Sequence, residues 1–337
     1  MIVVVTGSSG FIGVHLVQHL LASGSTVRAL VRPQSSHNNR NKRVEYFEVD
    51  LLNADAVASS SAWDGATVLF HLAGVTKAPS LQQFRLGNVQ PLANILSALS
   101  VRQTPPRIVV VSSQAAAGPA RSFTEPVLET DEAAPIESYG VSKHEAEVLA
   151  KSYTNSLPIT IVRPPAVYGP GDADFYEAFR QATSSYSLYV VNPEHWFDVV
   201  YVLDVVVALA LAAQSASAIG KTYFLSGDNP IRWRDLYQLA ARAGQVDPTQ
   251  SRVPPRLLRI AARLGDLYGL VTGRTPLVNS QKLSLTQPAF WLCSSQRIRD
   301  ELGWRPEMTV QKGVRLTYLW YVDAGWLSRK QGVPPTL

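Results

Sequence analysis

Tyr139 and Lys143 are the two residues whose types and spacing best suit proton transfer. Residues four apart on a helix project from one face, so a helix over 138–154 brings the phenol and the ammonium together. A phenol with an ordinary pKa of about 10 is a poor base at neutral pH, but a nearby positive charge stabilises the phenolate. The pair predicts a general acid/base that interconverts a carbonyl and a hydroxyl group, with an ordinary surface pair as the alternative.

Two further segments end apolar runs with small or polar residues. Ser112 and Ser113 follow the run 107–111, and His71-Leu72-Ala73-Gly74 ends another. Ligands in open parallel sheets bind at the carboxyl ends of strands, where a serine hydroxyl can orient a reacting oxygen toward the tyrosine. The small residues after His71 allow the backbone to lie against a cofactor, and we expect His71 itself to be a core residue.

Three glycines stand in the segment TGSSGFIG, residues 6–13, directly after the apolar residues 2–5. Between a strand and a helix, such a segment offers unpaired N–H groups and the positive end of the helix dipole to a pyrophosphate. Gly7 then allows the tight turn, Gly10 the close approach of the ligand, and Gly13 the packing of helix on strand. The context predicts a dinucleotide site made of Gly7, Ser9, Gly10, Phe11, Ile12 and Gly13.

The end of the second predicted strand distinguishes the two nicotinamide nucleotides. An acidic residue about 20 residues after the glycines binds the ribose 2′-hydroxyl of NAD, whereas an arginine accommodates the 2′-phosphate of NADP. Arg32 follows this strand, which has no acid at its end. We expect NADP, with Arg32 and less strongly Arg28 as phosphate partners, and NAD or solvated surface charges as alternatives. Asp50 and Leu51 are expected at the adenine, unless Asp50 caps the helix near Asn53.

Strands and helices alternate over the first two thirds of the chain. The predicted strands cover 2–5, 26–31, 44–49, 67–71, 107–111 and 158–162, and the predicted helices cover 11–22, 54–61, 88–101 and 138–154. This alternation predicts an α/β fold with a Rossmann-type, doubly wound parallel sheet. Beyond residue 164 it stops, and we expect residues 1–165 to form the nucleotide-binding domain and residues 166–337 a mainly substrate-binding, partly interleaved lobe.

Composition excludes several classes of protein. The 337 residues are 46% hydrophobic and 17% charged, enough for a large core. The net charge of +5 comes from scattered residues, so we expect no nucleic-acid partner. Cys293 is the single cysteine, which leaves no disulfide or zinc cluster and suits the cytoplasm. Residues 2–5 are too short for a signal peptide, and 199–213 falls short of the ~18 residues of a membrane span.

The segment 255–264 places arginines among apolar residues at helical spacing, namely Arg256, Arg259 and Arg263. A basic amphipathic helix can lie on an anionic membrane. The simpler interpretation, which we favour, is a helix packed on the lobe with a solvated charged face.

Together these stretches resemble the short-chain dehydrogenase/reductase superfamily in its extended, epimerase/dehydratase-like branch. The resemblance covers most of the chain and rests on 6–13, 71–74, 112–118, Tyr139 with Lys143, 163–170 and 301–306. It implies catalysis by Ser113 rather than Ser112, with Tyr139 and with Lys143, which also holds the nicotinamide ribose. It implies cofactor contacts by Leu72, Ala73, Gly74, Asn88, Pro165 and Val167, and a homodimer through two helices of the nucleotide domain.

Departures from the family pattern narrow the expected chemistry. Gln114 and Ala115 stand where the sugar-nucleotide dehydratases carry an acid and a base, so dehydration is not expected. Ala166 stands where members that act on nucleotide sugars have an asparagine for the substrate phosphate, and alanine cannot make that hydrogen bond.

Aromatic residues of the lobe, among them Tyr168 and Trp196, are expected to line a fairly apolar substrate pocket, with a core position as the alternative. The sequence looks closest to dihydroflavonol reductase-like and 3β-hydroxysteroid dehydrogenase-like members. We expect hydride transfer between NADP(H) and a secondary alcohol or ketone on a small-molecule substrate, without a metal. An epimerase that retains NAD and a non-catalytic nucleotide-binding protein are the alternatives.

Overall fold

A seven-stranded parallel sheet forms the centre of the computed structural model, which describes residues 1–33, 41–189, 191–272, 280, 283 and 286–328. Its first six strands are β1 (Ile2–Thr6), β2 (Thr26–Val31), β3 (Val44–Glu48), β4 (Val68–His71), β5 (Arg107–Val111) and β6 (Ile159–Arg163). In space they run β3-β2-β1-β4-β5-β6. The direction of winding reverses between β1 and β4, where doubly wound sheets open a crevice for ligands.

Helices cover both faces of this sheet. They are α1 (Phe11–Ala22), α2 (Ala54–Ala58), α3 (Leu81–Asn88), α4 (Gln90–Ser100), α5 (Ser138–Ser152) and, from the second half of the chain, α7 (Val202–Gln214). Val3 and Val5 belong to the core that contains α1 and α7, whereas Val4 belongs to the core that contains α4 and α5. Because both faces are buried, the strand reads as a continuous apolar run rather than an alternating one.

A smaller lobe follows β6 and packs around aromatic rings. Its elements are β7 (Ala166–Tyr168), α6 (Tyr176–Ala182), β8 (Tyr186–Tyr189), β9 (Trp196–Phe197), β10 (Val199–Tyr201), β12 (Ile231–Arg232), α8 (Trp233–Ala243), β13 (Thr249–Arg252), α9 (Pro255–Thr272), β14 (Phe290–Trp291), α10 (Gln296–Leu302) and α11 (Val310–Asp323). The Phe197 ring stacks on Trp233 with centroids 4.3 Å apart, and Phe175 stacks on Phe197 at 6.4 Å. Such contacts give the lobe a core of its own.

The second half of the chain also completes the large sheet. The strand β11 (Thr222–Phe224) pairs in parallel with β6 and becomes the seventh strand. Tyr223 and Trp304 are buried in the core beneath α1 and α7. The Trp304 indole donates a hydrogen bond of 3.0 Å to the backbone oxygen of Asp204.

The predicted fold class is confirmed, and two local expectations were wrong. The helix α3 was not predicted, because only Phe84 and Asn88 of its eight residues are buried and its apolar period is weak. The predicted helix 54–61 ends at Ala58, where the Ser59 hydroxyl bonds to the Asp55 backbone oxygen. Serine side chains compete in this way with helix continuation. Within the described residues, no helix is both long and apolar enough to cross a bilayer.

Candidate functional site

The glycine segment forms a cradle between β1 and α1. Gly7 has a φ of +71°, and the Gly10 amide donates a hydrogen bond of 3.0 Å to the Gly7 oxygen. A Cβ atom on Gly13 would overlap the Gly7 oxygen, so only glycine at position 13 lets α1 lie this close to the segment. No described side chain caps Gly10, and the first turn of α1 carries no acidic residue. Free N–H groups at a helix start fit the pyrophosphate of a dinucleotide.

A buried hydrogen-bonded group fastens this cradle to the end of β4. The Thr6 hydroxyl lies 2.9 Å from Nδ1 of His71 and accepts a hydrogen bond of 3.1 Å from the Ala73 amide. Burial lowers the pKa of His71 to about 3, with a smaller contribution from the Lys143 charge. The imidazole is therefore neutral and holds the loop in place.

The residues after β4 lie directly against the glycine segment. A Cβ on Gly7 would lie 2.7 Å from both the Ala73 amide nitrogen and the Leu72 carbonyl carbon. The predicted cofactor residues Leu72, Ala73 and Gly74 therefore adjoin Gly7, while Ser9, Gly10 and Phe11 lead into α1.

The Asn88 side chain is buried and forms hydrogen bonds with the loop after β4. Its side-chain oxygen accepts from the Val75 amide at 2.7 Å, and its amide group donates to the Val75 oxygen at 3.1 Å and to the Ser142 hydroxyl at 2.9 Å. The side chain is buried, at 2% exposure. Asn88 thus links the loop after β4 to α5, and its cofactor contact stays a prediction.

The two arginines of the second strand have different surroundings. Arg32 follows β2 at the edge that carries the glycine segment, and its side chain is exposed. Arg28 donates to Glu45 at 3.0 Å and to the Asp64 oxygen at 2.6 Å. Asp64 precedes β4, so Arg28 reaches toward the opposite edge of the sheet. The expectation that Arg28 binds a phosphate was therefore wrong.

Asp50 does not cap α2. Asn53 does so by accepting from the Ala56 amide at 3.0 Å, whereas the Asp50 carboxylate accepts from the Leu52 amide at 3.0 Å in the preceding turn. Asp50 is exposed and Leu51 is half-buried after β3.

The predicted proton-transfer residues converge at the end of β5. Tyr139 lies in the first turn of α5, and the Ser113 side chain is close enough to its hydroxyl to oppose the rise of the phenol's pKa. Lys143, one turn further along, donates a hydrogen bond of 2.7 Å to the Val111 oxygen. Ser113, not Ser112, is therefore the serine that meets the tyrosine.

Burial controls the charge of both groups. It raises the pKa of Tyr139 to about 12, although the Ser113 side chain opposes the shift. It lowers the pKa of Lys143 to about 8, with Glu147 opposing. The shift of Tyr139 runs opposite to the lowering predicted from its spacing to Lys143, because removal from water disfavours the phenolate. At neutral pH the phenol keeps its proton.

A buried ion pair that was not predicted holds α5 against the strand ends. The Glu147 carboxylate accepts hydrogen bonds from the Arg163 guanidinium at 2.8 and 2.5 Å and from the Ser112 hydroxyl at 2.5 Å. Glu147 is four residues after Lys143, so Tyr139, Lys143 and Glu147 share one helix face. This continued spacing was the signal in the sequence that identifies the residue.

The start of α5 is also specified by its neighbours. The Glu137 carboxylate caps the helix by accepting from the Tyr139 and Gly140 amides, at 2.6 and 2.5 Å. A Cβ on Gly140 would overlap the Ala115 oxygen, so only glycine allows α5 to lie this close to the segment after Ser113. The acid two residues before Tyr139 is a capping signal that the sequence analysis did not use.

The two residues predicted to contact substrate differ in their exposure. Trp196 is half-buried, with Phe123 4.9 Å away between ring centroids and the Arg232 guanidinium 5.1 Å from its ring. Tyr168 is only 2% exposed and packs in the core of the lobe against Tyr201. The expectation that Tyr168 lines the pocket was wrong, because its ring is enclosed by other aromatic rings.

The connection from β6 to β7 passes beside the catalytic serine. The Gln114 amide donates to the Pro164 oxygen at 2.9 Å. Pro165 is buried there, and Val167 is half-buried against the core of the large sheet.

An exposed ion pair bridges the mouth of the site. Lys77, in the loop after β4, donates to Asp174 of the lobe at 2.6 Å. The Asp174 charge contributes to raising the pKa of Tyr139, so it lies near the phenol. These residues are 97 positions apart, and nothing local in the sequence indicates their contact.

Comparisons with known proteins agree with this geometry. The model of the NAD dependent epimerase/dehydratase family matches residues 3–225. A ceramide reductase from Caulobacter vibrioides is 28% identical over 97% of this chain and 96% of its own length. A UDP-glucose 4-epimerase from Vibrio cholerae is 25% identical over 96% of each chain. The structure of RMD from Pseudomonas aeruginosa, complexed with NADPH, superposes with a TM-score of 0.75 at 22% identity, over 96% of this chain and 99% of that one.

Lys143 should titrate near pH 8 instead of near its ordinary value of 10.5. Glu147→Gln removes the negative charge that favours the ammonium, so the pKa of Lys143 should fall further. Glu145→Gln, which changes a half-buried acid of the same helix that pairs with Arg85, should leave it in place. The measurement is lysine-selective NMR of the full chain, with the signal assigned by its loss in Lys143→Arg.

The lowered pKa of Lys143 fixes the sign of the pH dependence of folding stability, and Glu147→Gln has a separate cost in stability. Between pH 8 and 10.5 the unfolded chain binds the proton more tightly, so this residue makes stability rise with pH in that window. Glu147→Gln leaves Arg163 buried without its partner and should cost about 3–5 kcal/mol of stability. A wild-type titration near 10.5 would contradict the assignment whether or not the variant folds.

Proposed function

The chain belongs to the NAD-dependent epimerase/dehydratase family, and from this premise we propose that it transfers hydride between NADP(H) and a ketone or secondary alcohol on a fairly apolar substrate. It is an NAD(P)-dependent enzyme, as its reductase and epimerase relatives are. The observation that carries the proposal is the convergence of Tyr139, Ser113 and the buried Lys143, which donates a hydrogen bond to the Val111 oxygen, at the end of β5.

In this proposal each residue of the site has a defined task. NADPH, when bound, supplies a hydride to the carbonyl carbon. The Tyr139 hydroxyl donates its proton to the carbonyl oxygen, and the Ser113 hydroxyl donates a hydrogen bond to the same oxygen. The products are the alcohol and a tyrosinate, which the Lys143 ammonium stabilises. The phenol is protonated at neutral pH and so has a proton to donate.

The binding residues follow from the cradle and from the lobe. We propose that residues 1–165 bind the nucleotide, with Arg32 at the 2′-phosphate and Asp50 and Leu51 at the adenine. Residues 166–337 bind mainly the substrate, with Trp196 as part of its apolar wall. The relative named ceramide reductase supports a substrate rich in hydrocarbon.

The alternative function is that of an epimerase with a captive cofactor, and the UDP-glucose 4-epimerase among the relatives favours it. Ala166, on β7, offers no side-chain donor to a nucleotide-sugar phosphate and counts against it.

Denaturing the purified protein and analysing the released nucleotide separates these two functions. An oxidoreductase that exchanges its cofactor in each cycle should release far less than one equivalent of nucleotide per chain. A separate, undenatured sample of that protein should bind added NADPH. Stoichiometric NAD or NADH in the supernatant would support the epimerase and contradict the proposal.

Assembly and location are further parts of the proposal. We propose a cytoplasmic homodimer through helices of the nucleotide domain, where Leu86 of α3 and Val148 of α5 are exposed. Sedimentation of the full chain measures this state directly.

Changing Tyr139→Phe removes the donated proton and should lower turnover of a responsive ketone about 10²–10⁴-fold. The affinity for NADPH should stay within about twofold of wild type. Tyr153→Phe, on the same helix, is the matched control and should keep full turnover. Turnover is followed by NADPH absorbance with a panel of aliphatic and cyclic ketones, and a Tyr139→Phe protein that retains it would remove the tyrosine from the mechanism.

Changing Arg32→Asp should weaken NADPH binding by at least about tenfold, because a charge-assisted hydrogen bond to phosphate is lost and a repulsion is introduced. NADH binding should change little. Lys42→Asp, which alters an exposed cation before β3 at the opposite edge of the sheet, controls for net charge. Both affinities are measured by fluorescence titration, and an equal loss for the two nucleotides would show that Arg32 does not select NADP.

A further inference from the structure

The helix α9 presents a row of large apolar side chains to solvent. We call this set the apolar row; it comprises Leu257, Ile260, Leu264, Leu267 and Tyr268, with exposures of 56, 58, 63, 59 and 48%. Their spacing of three, four, three and one places them on a single helix face. Ala262, on the opposite face, is 1% exposed and contacts the protein. The row therefore points away from the body of the molecule.

A row of arginines runs along the helix beside the apolar row. Arg256, Arg259 and Arg263 are exposed, and each precedes a member of the apolar row by one residue. We call this set the basic row. The sequence analysis expected a charged face in solvent and an apolar face against the lobe. The structure instead exposes both rows, because the small Ala262 is the side chain that seats the helix.

Exposed apolar residues elsewhere on the chain are scattered. Val101, for example, is 84% exposed at the end of α4, and Phe123 is 45% exposed in a loop. Five such residues on one face of one helix are different, because contiguous apolar patches on soluble proteins mark interaction sites.

We propose that α9 is a membrane-docking helix that lies in the interface of an anionic lipid bilayer. Charge complementarity favours an anionic lipid surface as the partner, because the basic row lies beside the apolar row along the helix and the chain has a net charge of +5. In the interface the apolar row inserts about 5–10 Å toward the acyl chains while the guanidinium groups reach the phosphates. Within the described residues no helix can span the bilayer, so α9 binds along its surface.

The position of α9 connects this surface with the lobe. Arg252 ends β13 three residues before α9, and β13 pairs in parallel with β8 of the lobe. A helix held in the interface thus places the lobe at the membrane surface. The docking proposal stands independently of the catalytic one.

Vesicle flotation with the full chain tests the proposal. Vesicles of phosphatidylcholine with 30% phosphatidylglycerol should carry the protein, and pure phosphatidylcholine vesicles should carry much less. Leu264→Glu with Leu267→Glu should abolish flotation. Val101→Glu with Val207→Glu changes two exposed apolar residues elsewhere and should have no effect.

The basic row is tested separately by charge reversal. Arg256→Glu, Arg259→Glu and Arg263→Glu together should weaken partitioning by at least about fivefold per residue. The matched control reverses three exposed cations elsewhere, Arg121, Lys151 and Lys312. Circular dichroism and NADPH binding confirm that each variant is folded.

Two outcomes would overturn the proposal. One is that wild-type protein does not float with anionic vesicles, or floats equally well after the α9 changes. The other is that wild-type protein is a dimer which Leu264→Glu with Leu267→Glu converts to a monomer without any effect of lipid, which would assign the apolar row to a second copy of the chain.

Discussion

The candidate site depends on one buried carboxylate, that of Glu147. Its oxygens accept hydrogen bonds from Arg163 and Ser112, so a charge that is shielded from solvent is both paired and satisfied. Ser112 follows β5 and Arg163 ends β6, and the carboxylate therefore ties α5 to two adjacent strand ends. Tyr139 and Lys143 lie two turns and one turn before Glu147, so this anchor determines where they stand.

The same exclusion of water acts on the two proton-carrying groups in opposite directions. It disfavours the phenolate of Tyr139 and the ammonium of Lys143. The pKa of Tyr139 rises and that of Lys143 falls, and both shifts favour the neutral group. Sequence spacing alone suggests a charged pair, because spacing conveys proximity but not desolvation. The structure adds the environment, and with it the direction in which each pKa shifts.

Features set by local sequence pattern could be predicted, whereas features set by tertiary packing could not. The glycine cradle and the strands of the large sheet could be predicted, since apolar runs and glycine spacing are local. The role of Arg28 could not, because it depends on how far along β2 the residue lies: it is in register with Val4, well short of the ligand edge. Tyr168 was misassigned because only the packing of the lobe separates an aromatic core from an aromatic pocket. The rows of α9 were visible in the sequence, but not that both would be exposed.

The late arrival of β11 has a consequence for synthesis of the chain. Until residues 222–224 emerge, β6 is an edge strand whose N–H and C=O groups on one side have no partner. Tyr223 and Trp304 are also missing from the core beneath α1 until the last part of the chain is made. The seven-stranded sheet is therefore complete only once residues 222–224 have been made, and until then one edge of β6 lacks its partner strand.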